Sequence, residues 1–117
     1  MKDIKYLKVP NVCFSLLSKT DEREEEYKKQ RIKRGFDDSE TWSLDSTIAK
    51  FIVPRLERYQ EIANSYLIRD QELIDNIELF LKAMKIVSQG GVATTLEMEE
   101  INKGLECFPK IFNSLWW

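Results

Sequence analysis

The 117-residue sequence contains no histidine. That removes the usual general base, the Ser-His and Cys-His nucleophile pairs, and most zinc and iron sites. Cysteine is nearly as scarce. Cys13 and Cys107 stand far apart, and neither has a second cysteine at a metal-ligand or redox spacing, so free thiols are expected. No apolar run reaches the roughly 18 residues that a membrane span requires, and no secretory pattern opens the chain. A cytoplasmic protein without a membrane partner is therefore expected. The net charge of -2 leaves no global basic field, so nucleic acid is not an expected partner. Nothing in these patterns calls for a cofactor.

What is present suits one core. A hydrophobic share of 43% is that of a folded chain rather than a disordered one, and 117 residues are too few for two full cores. The densest information lies from Arg34 to Tyr66. Gly35 breaks what precedes it, and Asp37 with Glu40 three residues later forms a capping box, so a helix is expected to start there. Leu44, Ile48, Phe51 or Ile52, Leu56, Tyr59, Ile62 and Tyr66 then recur at three- and four-residue steps and predict one apolar face. Asp45 falls at the edge of that stripe, where an unpaired charge is costly. It is expected to be structural, held by the Trp42 indole or by a basic side chain, with Trp42 in the core or at its edge. Pro54 inside the helix predicts a kink.

Asn64 to Arg69 reads as a connection, after which Asp70 caps a second helix running to about Gln89. Its buried stripe is Leu73, Ile77, Phe80, Met84 and Val87, with Ile74 and Leu81 beside it. Gly90-Gly91 ends it, and Thr94 with Glu97 opens a third helix whose expected face is Met98, Ile101, Leu105, Phe108, Phe112 and Leu115, with Pro109 bending it. Ahead of these, Thr20 caps a charged helix to Arg34, acidic first and basic last, with Glu24–Lys28 and Glu25–Lys29 pairs. It is either a solvated surface helix or a carrier for a basic patch from Lys28 to Arg34. Met1 to Ser18 suits a short extended piece or hairpin, or a helix entering at Pro10. The expected fold is all-α: a three-helix core in 34–117, a charged helix and uncertain first segment in 1–33, and assembly as a homo-oligomer.

The string W-S-L-D-S-T-I-A-K-F-I-V-P-R-L (Trp42 to Leu56), preceded by G-F-D-D and followed by G-L-E-x-F and S-L-W-W, resembles a family of small uncharacterised proteins encoded by tailed bacteriophages. The match runs from Arg34 onward. It implies a setting rather than a reaction: a non-enzymatic phage accessory protein that occupies a host component. One form sequesters a nucleotide-type immune signal, with Arg34, Lys50, Arg55 and Arg58 on phosphates and Trp42 or Trp117 on the base. A second form plugs a host protein surface, with the aromatic ends as hot spots. Trp116 and Trp117 read equally as a plug on the core. Two further alternatives stay open: a virion assembly factor, and a magnesium-dependent nucleotide pyrophosphatase using Glu72, Asp75, Glu78, Glu97, Glu99 and Glu100. Those acids lie off the apolar stripes, whereas a metal site inside a bundle needs them to project inward.

Overall fold

The computed structural model describes residues 13–66 and 69–117. Those residues form four α-helices and two short 3-10 turns, with no strand among them: α1 (Glu24–Arg34), a turn at Asp38–Thr41, α2 (Leu44–Tyr66), α3 (Gln71–Ser88), α4 (Thr95–Ile111) and a turn at Phe112–Ser114. Of the extended piece, hairpin or helix expected in Met1 to Ser18, the part up to Val12 lies outside the described residues, and the part from Cys13 onward is not formed. Cys13 to Ser18 has no regular secondary structure.

Local chemistry explains the boundaries. Three acids open α1 and three bases close it, matching the helix dipole. Gly35 ends it at φ 89°, a left-handed conformation that glycine adopts without Cβ strain, and its N–H reaches Arg31 O at 2.8 Å. Thr20 does not cap this helix. The N-cap is Arg23, and Asp21 instead accepts the Arg23 N–H at 2.9 Å together with its guanidinium. The Asp37–Glu40 capping box is present, but it opens the 3-10 turn rather than the long helix, which begins at Leu44. Asp70 caps α3 through Leu73 N–H at 2.8 Å, and Thr94 with Glu97 forms the capping box of α4. Helix α2 continues through Pro54 and on to Tyr66, past the point where a connection was expected.

The chain divides into two compact units, one ending at Thr47 and the other beginning at Ile48. In the second unit α2, α3 and α4 form a small helical bundle. Its apolar core joins Ala49 and Leu56 of α2, Ile77, Phe80, Leu81, Ala83 and Met84 of α3, and Ile111 of α4. Each large aliphatic or aromatic side chain among these contributes about 1.5–3 kcal/mol through burial. Helices α3 and α4 approach closely at Gly104, where an added Cβ would meet Ala83 Cβ and lie 2.5 Å from the Leu79 carbonyl oxygen.

Two helical faces differ from expectation. In α4 the buried positions are Ile101, Gly104, Cys107 and Ile111, while Met98, Leu105 and Phe112 are exposed. In α2, Ala49, Leu56 and Ala63 are buried, while Leu44, Ile48, Phe51 and Tyr66 are exposed. The reason is common to both. Alanine and glycine let backbones approach, so the helices turn their small residues inward and some large ones outward, although hydrophobicity alone favours the large ones. Helix α3 keeps its expected face.

Candidate functional site

The most elaborate polar arrangement lies in the first unit, where the end of α1 meets the turn after it. Arg31, in the last turn of α1, points inward. Its Nη1 donates to Asp37 Oδ2 at 2.6 Å and to Ser15 Oγ at 3.3 Å, and its Nη2 donates to Glu24. Asp37 is 0% exposed. Its other oxygen accepts Ser39 N–H at 2.8 Å and the Ser39 hydroxyl at 2.5 Å. Glu40 is divided in the same way: one oxygen accepts Asp37 N–H and the other Phe14 N–H, each at 2.7 Å. Leu16 N–H donates to Ser39 Oγ at 2.9 Å, and Cys13 Sγ donates to the Gly35 carbonyl. These bonds stitch Cys13 to Leu16 onto the 35–40 turn.

Burial acts first on Asp37 and favours its neutral form, but hydrogen bonds from Ser15, Ser39 and Arg31 outweigh it and hold the carboxyl below its ordinary value. Burial likewise disfavours the Arg31 cation, and the bonds to Glu24 and Asp37 reverse that effect. Both groups are thus kept ionised. The pair already occupies its own donors and acceptors, which makes it a clamp within the unit. Among the described residues, Glu24 Oε2 is the one buried side-chain oxygen or nitrogen without a partner. The charge run concealed Arg31, since a base in a basic helix end gives no sign that it points inward. Ser15 and Ser39 carried no signal. The Asp37–Glu40 spacing was the only clue.

The six expected ligand-binding residues are divided between the units. Arg34 and Trp42 belong to the first, and Lys50, Arg55, Arg58 and Trp117 to the second. Arg34 Nη2 lies 2.6 Å from Asp38 Oδ1, with its guanidinium 4.4 Å from the Phe36 ring centroid. That ion pair, followed by the Gln30 amide, lowers the Asp38 pKa. A surface depression of about 320 Å³ runs along α1 between Glu26, Lys29, Gln30, Lys33 and Arg34, so its lining is of mixed sign.

Trp42 is 51% exposed rather than in the core. It stands with its ring 6.5 Å from Tyr27 and 5.1 Å from the Arg23 guanidinium. Asp45 is also exposed, with no hydrogen bond or ion pair among the described residues, so the buried-pair reading is corrected. It sits in the first turn of α2, where unpaired N–H groups stabilise a carboxylate without a side-chain partner.

In the second unit, Arg55 donates to Phe51 O at 2.9 Å and lies 3.9 Å over the Phe51 ring. Arg58 pairs with Glu61 at 2.8 Å, and Lys50 is half-buried. Trp117 stacks on Tyr66 at 5.9 Å and 16°. Neither terminal indole is a core plug: both are exposed, and Leu115 packs against the core instead. Tyr59 explains this, because its hydroxyl lies 2.9 Å from Ser114 O and 3.2 Å from Trp116 O, while Arg69 donates to Ser114 O at 3.0 Å. Carbonyl groups fasten the segment and leave the rings outside.

Three of the six acids considered for magnesium have other engagements. Glu97 accepts Thr94 N–H, Asp75 accepts from Gln71, and Glu100 pairs with Lys82 at 3.0 Å. Among the described residues no three Cys, Asp or Glu side chains converge on a point that could hold a cation. None of the described helices is long and apolar enough to cross a membrane.

The chain matches no family model, no curated protein and no solved structure.

Proposed function

We propose that the protein is a non-catalytic accessory protein that blocks a host protein by docking on its surface. The outer face of α2 in the second unit is the contact. The observation that supports this is a convex ridge: Ile48, 54% exposed, and Phe51, 47% exposed, run on at three- and four-residue steps into Arg55 and Arg58, with the Arg55 guanidinium laid over the Phe51 ring. Aromatic and arginine side chains on a protruding face are the residue types that dominate protein–protein contacts. The expected partner surface is an apolar depression bordered by acids. A second copy suits this face poorly, since parallel pairing sets Arg55 and Arg58 against themselves and antiparallel pairing sets them on Ile48 and Phe51. The absence of histidine supports the non-catalytic part of the reading. The phage setting, the antagonism of host defence and the host cytoplasm as workplace rest on the resemblance of Trp42–Leu56.

The nucleotide-sequestering form is less favoured by the geometry. It would have to draw Arg34 and Arg58 away from Asp38 and Glu61, whereas small-ligand sites are concave and present ready polar groups. The test is capture from host lysate on immobilised full-length protein, beside Phe51→Glu and Arg55→Glu. One host protein held near stoichiometrically by the wild type, and about 30-fold more weakly by either variant, supports the reading, a roughly 2 kcal/mol hot spot being enough. Equal capture by all three overturns it. A melting temperature raised several degrees by one nucleotide, with the rise lost in Arg55→Ala, would move the assignment to the sequestering form.

A further inference from the structure

Three elements of the second unit meet at one point. Tyr59 stands on the second half of α2, Arg69 directly precedes the Asp70 cap of α3, and Ser114 to Trp117 run on from the end of α4. The Tyr59 hydroxyl has one hydrogen and divides it between Ser114 O and Trp116 O. Those two carbonyls stand on either side of Leu115, whose side chain packs against the core. Arg69 donates to the same Ser114 O and places its guanidinium 5.1 Å from the Tyr59 ring centroid. The two donors join different pairs of elements. Arg69 ties the end of α4 to the start of α3, inside the hairpin, whereas Tyr59 ties it to α2.

Little else of a polar kind crosses that boundary. Among the described residues, the Tyr59 bonds are the only side-chain hydrogen bonds between α2 and the rest of the second unit. The ion pair of Lys85 with Glu57, at 3.8 Å, is half-exposed on both sides and holds little. The apolar contacts are unequal as well. Helix α3 puts Ile77, Phe80, Leu81 and Met84 into the core and meets α4 at Gly104 with no room for a methyl group. From Ile48 on, the buried residues of α2 are Ala49, Leu56 and Ala63, of which only Leu56 is large, while Ile52, Val53 and Tyr59 are partly buried against the core. Burial free energy scales with apolar area, so the hairpin is bound more tightly to itself than α2 is to the hairpin. The element with the smaller share of the core is the one that opens first.

We propose that residues 114–117 are a clasp. They hold α2 shut against the hairpin of α3 and α4 through Tyr59, and release of α2 with the hairpin still paired is the first opening of this unit. The exposed stack of Trp117 on Tyr66 forms the outer edge of the clasp. Opening moves the outer face of α2, with Phe51 and Arg55 on it, relative to the hairpin. Every contact of the clasp lies within the chain, so it stands whether or not that face binds a host protein.

The test is native-state amide exchange of the full-length protein at urea concentrations below the unfolding transition, with Tyr59→Phe alongside and a thermal melt to show that the variant folds. Most helical stability in proteins comes from packing, so a released α2 loses its amide protection. The wild type is expected to expose Ile52, Leu56 and Ala63 in an opening that leaves Ile77, Met84 and Ile101 protected. Tyr59→Phe keeps the ring and removes the divided hydrogen bond. It is expected to speed exchange about fivefold at Leu56, Ala63 and also Ile52, two turns before the substitution, with no change at Ile77, Met84 or Ile101. Exposure of Ile52, Ile77 and Ile101 in a single opening of the wild type overturns the proposal, because α2 and the hairpin then open as one body. So does a Tyr59→Phe variant that exchanges like the wild type, one whose faster exchange stops within a turn of the substitution, or one in which it reaches the hairpin equally.

Discussion

Among the described residues up to Thr47, every buried side chain is polar or charged: Asp37, Ser39, Glu40 and Ser46. From Ile48 onward the buried positions are aliphatic or aromatic, together with Gly104 and Cys107. The first unit is held by direction and the second by shape. A hydrogen-bonded charge network tolerates little loss, because removing one member leaves another buried and unpaired. An apolar core tolerates exchange of similar volumes, but not a side chain where none fits.

The strongest way to test that contrast is Arg31→Ala, which leaves the Asp37 carboxylate buried without its cation. A loss of about 3–5 kcal/mol is expected in the first unit. Amide exchange should lose protection at Ser39 and Glu40 while Ile77 and Met84 keep theirs, and equal loss in both places would show the units to be one cooperative body. Next in size is Gly104→Ala, the complementary change in the second unit. The added methyl has to push α3 and α4 apart at Ala83 and the Leu79 carbonyl, for a loss of about 1–3 kcal/mol read from thermal or urea unfolding. A melt unchanged by it would mean that the two helices separate freely.

The smallest effect comes from acid. The folded pKa of Asp37 lies below its ordinary value of 3.8, so the stability it contributes is fully present above that value and is lost as pH falls through the folded value. Asp38 is lowered by Arg34, and Asp21 is brought to about 2 chiefly by its hydrogen bond from the Arg23 side chain; both also stand in the first unit. Lowering the pH from 5 to 2 should therefore shift the Ser39 amide signal before that of Ile77. The reverse order would place the acid-sensitive contacts in the bundle. The effect is modest because a protonated Asp37 costs less to bury than an unpaired charged one.

How much of this was legible in the sequence varied with the range of the interaction. The helix ends at Gly35, Asp70, Gly90 and Thr94 follow from side chains within a few residues of the backbone groups they satisfy, and they were readable. So was the face of α3, whose large residues are the buried ones. The faces of α2 and α4 were not, because Ala49, Ala63 and Gly104 decide what lies inside while Phe51 and Leu105 dominate any hydrophobic count. Arg31 was hidden for a similar reason: its inward turn depends on Asp37 and Ser15 meeting it from other parts of the chain. Of the expected site, the Arg55 and Arg58 neighbourhood shares a surface with Ile48 and Phe51, while Trp42 and Arg34 are engaged with Arg23, Tyr27, Phe36 and Asp38.

Gly104 also acts as a keyway. It is the only glycine of α4, so a slip of one residue along α3 would bring Lys103 or Leu105 to Ala83, and a slip of about one turn would bring Glu100 or Phe108. None of these can enter the space that a hydrogen atom now occupies. The hairpin of α3 and α4 thus has one axial setting, fixed by a missing side chain rather than by the apolar contacts around it. Every residue on the outside of α4 inherits its height on the molecule from that one notch.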